Sequence, residues 1–178
     1  MSTGFGLLTL LLGVPLPVVL CSSAAVVVAG IVAVRRGLAV VTVRGQSMWP
    51  TYGDGDRVLV RRGRAPRPGQ VVVLERPDVH GWLRPPMPPT AGPSAVADRQ
   101  WMIKRVVAVP GDPVPWDLLP ALSGNPSGRV PAGQFVVVGD NLARSWDSRL
   151  IGYVPAHRLL GRVRCRLGSS GNTQRPWS

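Results

Sequence analysis

Between Gly4 and Val34 the chain carries no charged residue, a run of 31 positions rich in Leu, Val and Ala. About 20 consecutive apolar residues cross a bilayer as a helix, which alone satisfies its own backbone polar groups in hydrocarbon. The run is long enough for one span and too short for two. Pro15 and Pro17 divide it, because proline lacks an N–H and clashes with the preceding turn. Phe5 to Val14 then form an approach and Val18 to Val34 the main span. A cleaved leader needs a basic start and a shorter apolar core, and Met1-Ser2-Thr3 supplies no charge. The expectation is a retained N-terminal transmembrane helix within a membrane anchor over residues 1–36, with the lipid bilayer as a partner. The remainder has the length of one domain.

After Arg36 the pattern changes to short β-branched runs broken by Gly, Pro and Asp. Such runs predict strands at Ala39–Arg44, Asp56–Arg62, Gln70–Arg76, Gln100–Val109, Phe135–Gly139 and Leu160–Arg166. Asp54-Gly55 and Pro110-Gly111 carry turn chemistry, and no segment sustains a helical period. The fold class is mainly β: an antiparallel sheet domain over residues 37–167. Two connections interrupt it, an exposed, polyproline-like loop over 77–98 and a short insertion over 113–133. Residues 168–178 read as a polar, frayed tail.

The net charge of +12 invites a nucleic-acid reading. The arginines are scattered, however, and no basic motif interleaved with aromatics occurs. Attraction to anionic headgroups accounts for the same charge, so nucleic acid is not an expected partner. Cys21 lies in the apolar run and Cys165 near the C-terminus, which argues against pairing. His80 and His157 fall outside every motif. This disfavours a Ser–His–Asp hydrolase, and with so few ligands no metal or other cofactor is expected.

Lys104 is the single lysine among 21 basic residues. A guanidinium stays protonated throughout the working pH range, whereas a desolvated ammonium can lose its proton. A coding bias toward Arg would also leave one Lys behind, so its surroundings must decide. In a strand, alternate residues share a face, which places Lys104 with Met102 and Val106 and turns Ile103 and Arg105 the other way. Apolar neighbours lower an amine's pKa; reaching about 8 takes roughly 3 kcal/mol. The bland alternative is a lysine whose stem packs on the sheet while its amine reaches water. Two other segments are rich in polar chemistry. Gly45-Gln46-Ser47-Met48-Trp49-Pro50-Thr51 sets a serine on a turn, and the stretch from Gly139 to Pro155 is a loop dense in hydroxyls and carboxylates. Either composition is common in ordinary turns.

Taken together the segments are specific. Ser47-Met48-x-Pro50-Thr51, then Lys104-Arg105-Val106-Val107-Ala108-x-Pro110-Gly111-Asp112, then Gly139-Asp140-Asn141 with Ser145-x-Asp147-Ser148-Arg149-x-x-Gly152 resemble the type I signal peptidase family. Their order and the preceding anchor resemble it too. The resemblance implies a membrane-bound serine endopeptidase that removes signal peptides from exported precursors, cutting after a small residue. It implies Ser47 as nucleophile, Lys104 as general base and Ser145 as the hydroxyl that orients the amine. Asp147 and Arg149 become a supporting ion pair, Met48 a wall of the pocket for the small side chain, and Val43, Met102 and Ile103 further apolar walls. An extended substrate would add to strand edges. The implied location is the cell membrane, single-pass, with the catalytic domain outside; Arg35-Arg36 opposes that orientation, since basic residues favour the cytoplasmic side.

The departures bear on substrate choice. Gly45 stands where many Gram-negative members have a serine, leaving the oxyanion to backbone N–H groups, chiefly that of Ser47. Leu142-Ala143-Arg144 and Tyr52 also differ from the family pattern. Two alternatives stay open: a maturation protease dedicated to one exported protein or peptide, and a catalytically silent membrane-anchored binding protein.

Overall fold

The β-branched runs do form strands, and their pairing follows an order that sequence neighbours do not reveal. The computed structural model describes residues 37–78, 81–82, 84–89, 91–119 and 127–169, together with Cys21, Val26 and Val28. The chain divides into two units, Met1–Arg35 and Arg36–Ser178. In the first, the three described residues have helical backbone. The predicted span otherwise lies outside the described residues, among which no helix is long and apolar enough to cross a membrane.

The second unit contains β1 (Leu38–Thr42), β2 (Asp56–Arg62), β3 (Val71–Glu75), helix α1 (Pro93–Ala97), β4 (Trp101–Ala108), β5 (Gln134–Val138), helix α2 (Ser148–Ile151), β6 (Val154–Pro155) and β7 (Leu159–Ser169). They make one seven-stranded sheet in the order β1-β2-β7-β3-β4-β5-β6, with every neighbouring pair antiparallel. The C-terminal strand thus inserts between β2 and β3. Close approach there depends on Gly161, where a Cβ would sit 2.2 Å from the carbonyl oxygen of Arg61.

β3 is buried along its whole length because both of its faces are covered. One face belongs to a cluster around Val58, Val60, Val73, Met48 and Ile103. The other belongs to a cluster around Val72, Leu74, Val106, Phe135 and Val137. A continuous apolar run such as Val71-Val72-Val73-Leu74 suits a strand covered on both faces.

Two expectations need correction, on the 77–98 connection and on the tail. The 77–98 connection is not simply an exposed polyproline-like loop. It contains α1, whose Val96 is buried in the first cluster, with Met87 packed against the same cluster. Arg62 also donates to the Ala91 carbonyl at 2.6 Å. The 113–133 insertion supplies Val114, Leu119 and Val130 to a third cluster with Ala108 and Val136. Finally, the predicted tail begins two residues early, since β7 pairs with β2 as far as Ser169.

Candidate active site

Lys104 sits in the middle of β4, opposite Val72 of β3. Residues directly opposite in antiparallel strands share a face, so Val72 joins Met102 and Val106 around the lysine stem. Lys104 is 2% exposed and has no ion pair among the described residues; its Nζ lies 2.7 Å from the Oγ of Ser47. Burial lowers its pKa from 10.5 to about 8. The negative charge of Asp147 raises it, while the charges of Arg149 and Arg76 lower it further. Desolvation prevails because Asp147 already belongs to Arg149.

Ser47 stands on the turn between β1 and β2. Tyr52 N–H donates to the Met48 carbonyl at 2.8 Å, and Gly55 N–H to that of Val43 at 3.0 Å. The Gly45 N–H donates to the Asp54 carboxylate at 2.6 Å. The Ser47 carbonyl accepts from Asn141 N–H at 3.0 Å, so the loop after β5 holds the nucleophile turn through its backbone. The Ser47 N–H donates to no group among the described residues. Gly139 makes this contact possible: a Cβ there would come within 2.2 Å of Ser145 Oγ and 2.5 Å of the Ser47 carbonyl oxygen.

In the third segment Asp147 is fully buried. It accepts from Gly139 N–H at 2.9 Å and from the Nε and Nη2 of Arg149 at 2.9 and 3.1 Å. Burial alone would raise the carboxyl's pKa, but the hydrogen bond from Arg149, the nearby Ser145 hydroxyl and the Gly139 N–H outweigh it and hold the group below its ordinary value. Asp147 also caps α2 through Arg149 N–H. The predicted ion pair is therefore made, near enough for both charges to act on the Lys104 amine. The predicted hydrogen bond from Ser145 to the lysine amine is not made. Ser145 is buried close to both Gly139 and Asp147, and its Oγ has no hydrogen-bond partner of good geometry.

A groove of about 810 Å³ opens at Ser47 and Lys104 and passes between Val40–Thr42 on one side and Gln100–Met102 on the other. Both walls are strand edges. β1 pairs only with β2, and β5 meets β4 only from Arg105 onward, so the Trp101–Lys104 stretch has one unpaired side. Of the predicted pocket residues, Met102 lines this groove. Met48, Val43 and Ile103 do not; all three are buried in the first core cluster.

A network that sequence reasoning missed joins the three segments. Arg105 grips Asp140 with two hydrogen bonds, Nε at 2.8 Å and Nη2 at 2.7 Å, and Thr51 Oγ1 donates to the same carboxylate. Arg105 also donates to the Gly69 carbonyl at 2.7 Å. Planar Arg–carboxylate forks carry geometric specificity as well as energy, and here one ties the Ser47 turn, the Lys104 strand and the Asp147 loop together. The alternation that turned Arg105 away from Lys104 was the available signal, since it aimed a cation at the neighbouring loop.

Against this geometry, known proteins give a consistent picture. A family model described as signal peptidase, peptidase S26, matches residues 17–117 and 115–167. A probable signal peptidase I-2 of Synechocystis sp. is 30% identical over 142 residues, covering 68% of this chain and 59% of the relative. The signal peptidase I of Leptolyngbya laminosa is 28% identical, covering 68% and 64%. The mitochondrial inner membrane protease subunit 1 of Schizosaccharomyces pombe is 30% identical, covering 69% of each. The chain thus spans 59% to 69% of the length of these relatives.

Proposed function

The chain belongs to the signal peptidase family, peptidase S26, and we propose that it is a membrane-anchored serine endopeptidase that removes signal peptides from exported precursors. The observation that carries this reading is a buried amine 2.7 Å from a serine hydroxyl, with no counter-ion among the described residues. A pKa of about 8 in place of 10.5 multiplies the neutral fraction at neutral pH by roughly 300. Neutral Lys104 accepts the proton of Ser47 Oγ as the oxygen attacks the scissile carbonyl. The Ser47 N–H, without an acceptor among the described residues, stabilises the developing oxyanion, a task done best by donors already in place. Protonated Lys104 then gives its proton to the leaving amine. An incoming water, deprotonated by the same amine, releases the acyl group from Ser47.

Asp147 and Arg149 position the loop that backs the dyad. Ser145, buried against Gly139, orients the lysine amine once Ser47 Oγ has bonded to the substrate acyl group. The substrate lies extended in the groove and adds to the free edges of β1 and β4, which offer main-chain hydrogen bonds independent of sequence. The uncharged run from Gly4 to Val34 serves as a single-pass anchor, with the catalytic domain on the outer face of the membrane.

The test is cleavage of a precursor peptide by the full chain in neutral detergent, with the cut mapped by mass spectrometry. Cleavage after one small residue, lost in Ser47→Ala, supports the reading; a wild-type chain inert toward a panel of signal peptides overturns it. Digestion of the second unit by protease added to intact cells checks the topology.

A further inference from the structure

The groove at the dyad has a marked charge asymmetry. Four arginines line it, Arg44, Arg76, Arg99 and Arg144, and no Asp or Glu does. Arg99 is committed to Glu75 at 2.7 Å. The other three are exposed, and none has a carboxylate partner among the described residues. Elsewhere in the described domain, buried carboxylates are matched with arginine: Glu75, Asp147, Asp56 and the Asp140 network each hold at least one. Other arginines without a carboxylate lie elsewhere on the surface, but these three line the groove that opens at Ser47 and Lys104, with no acidic residue in its lining to offset them.

Their positions are also held. The Arg76 guanidinium sits 5.5 Å from the centre of the Trp146 ring, an arrangement that orients the fork while leaving its edge open. Arg144 Nη1 donates to the side-chain oxygen of Gln46 at 2.5 Å, next to the nucleophile. Arg44 immediately precedes the Gly45-Gln46-Ser47 turn. All three line the same groove as Ser47 and Lys104. Arginine in such a setting presents planar donors to a carboxylate, and exposed charges of one sign speed the encounter with the opposite sign.

We propose that Arg44, Arg76 and Arg144 make this groove selective for precursors carrying an acidic residue close to the cleavage point, and that they read its carboxylate. The inference rests on the proteolytic reading above and names the substrate class for the same site. Arg144 falls in the Leu142-Ala143-Arg144 stretch that departs from the family pattern.

The experiment uses the full chain in neutral detergent and a peptide series sharing one small-residue cut site. Asp, Asn or Lys is placed in turn at each flanking position other than the small anchoring residues. At one or more positions the Asp peptide is expected to show about tenfold higher kcat/KM than the Asn peptide, and the Lys peptide a lower value. The advantage should shrink as salt is raised, since exposed pairs are screened. In Arg76→Gln/Arg144→Gln the Asp-to-Asn ratio should fall toward one, a ratio insensitive to any loss of folded enzyme. Equal cleavage of Asp and Asn peptides by the wild type overturns the inference alone, as does a ratio that survives in the double variant. If the wild type cleaves no peptide in the series, the protease reading falls and this inference with it. Loss of binding to phosphatidylglycerol vesicles in the double variant, with the peptide ratio unchanged, assigns the arginines to headgroups and also overturns it.

Discussion

Two charges are buried on neighbouring strands of the same sheet, Glu75 at the end of β3 and Lys104 in the middle of β4, and they have opposite company. Glu75 is 5% exposed and accepts from Arg99 at 2.7 Å and from Arg158 at 3.1 Å. Arg158 is itself held against the Trp82 ring and the carbonyl of Arg84. Lys104 is buried as deeply and receives a single neutral hydroxyl. The nearest carboxylate, Asp147, is occupied by Arg149 and the Gly139 N–H. A charge taken out of water either finds a partner or shifts toward its neutral form. Glu75 follows the first course and acts as scaffold. Lys104 follows the second and becomes a base.

The largest expected effect tests that division directly. Lys104→Arg keeps a cation of similar reach but cannot supply a base, so kcat should fall by at least about 10³-fold. A variant that still cleaved at a tenth of the wild-type rate would remove Lys104 from the mechanism. The counterpart is Glu75→Ala, which leaves the buried Arg158 and the part-buried Arg99 without their shared carboxylate and should destabilise the fold by about 3 kcal/mol. Thermal unfolding measures the loss, and the folded fraction should keep the wild-type dependence of rate on pH. An altered pH profile in Glu75→Ala would mean that the two sites are not separate.

The same contrast governs what was legible in the sequence. Strands β2, β3 and β4 are within a residue of the β-branched runs that predict them, because burial on a pleated face is a local pattern. β6 is two residues long and carries no pattern of its own. The insertion of β7 between β2 and β3 depends on a close approach at Gly161, and nothing near that glycine announces its partner. At the site, the period of two placed Lys104 among apolar neighbours correctly. For Met48 no period was available, since turn residues share no face, and this side chain lies in the core where a pocket wall was expected. The Arg105–Asp140–Thr51 network escaped notice because each member looks like ordinary loop polarity until the three segments meet.

A smaller effect runs in the unexpected direction. At neutral pH the Lys104 amine is charged in both the folded and the unfolded chain. Its fall from 10.5 to about 8 then corresponds to a native state weakened by about 3 kcal/mol. Lys104→Met removes that penalty and the hydrogen bond to Ser47, the latter worth about 1 kcal/mol. The inactive variant should therefore be more stable by about 2 kcal/mol in denaturant unfolding at neutral pH. Between about pH 8 and 10.5 the unfolded chain holds a proton that the native chain has shed, so wild-type stability rises with pH. The gap to Lys104→Met should close over that window. A gap that stayed constant would show that the lysine is not desolvated.

The smallest effect separates an uncommitted arginine from a paired one. Arg76 has no carboxylate partner among the described residues and its charge lowers the Lys104 pKa, by less than burial does; Arg99 lines the same groove but belongs to Glu75. The rate should rise with pH as Lys104 loses its proton, reaching half its plateau near pH 8 for a neutral peptide. In Arg76→Gln the amine holds its proton more tightly, so the rise moves to higher pH. Activity then falls at neutral pH and recovers on the alkaline plateau. In Arg99→Gln the profile should stay where it was, even though the Glu75 cluster is weakened and the protein melts earlier. Measuring kcat/KM from about pH 6 to about pH 10 for both variants decides the matter. Equal displacement in the two would mean that pairing with Glu75 does not confine the charge of Arg99, and the distinction between scaffold and site would lose its electrostatic basis.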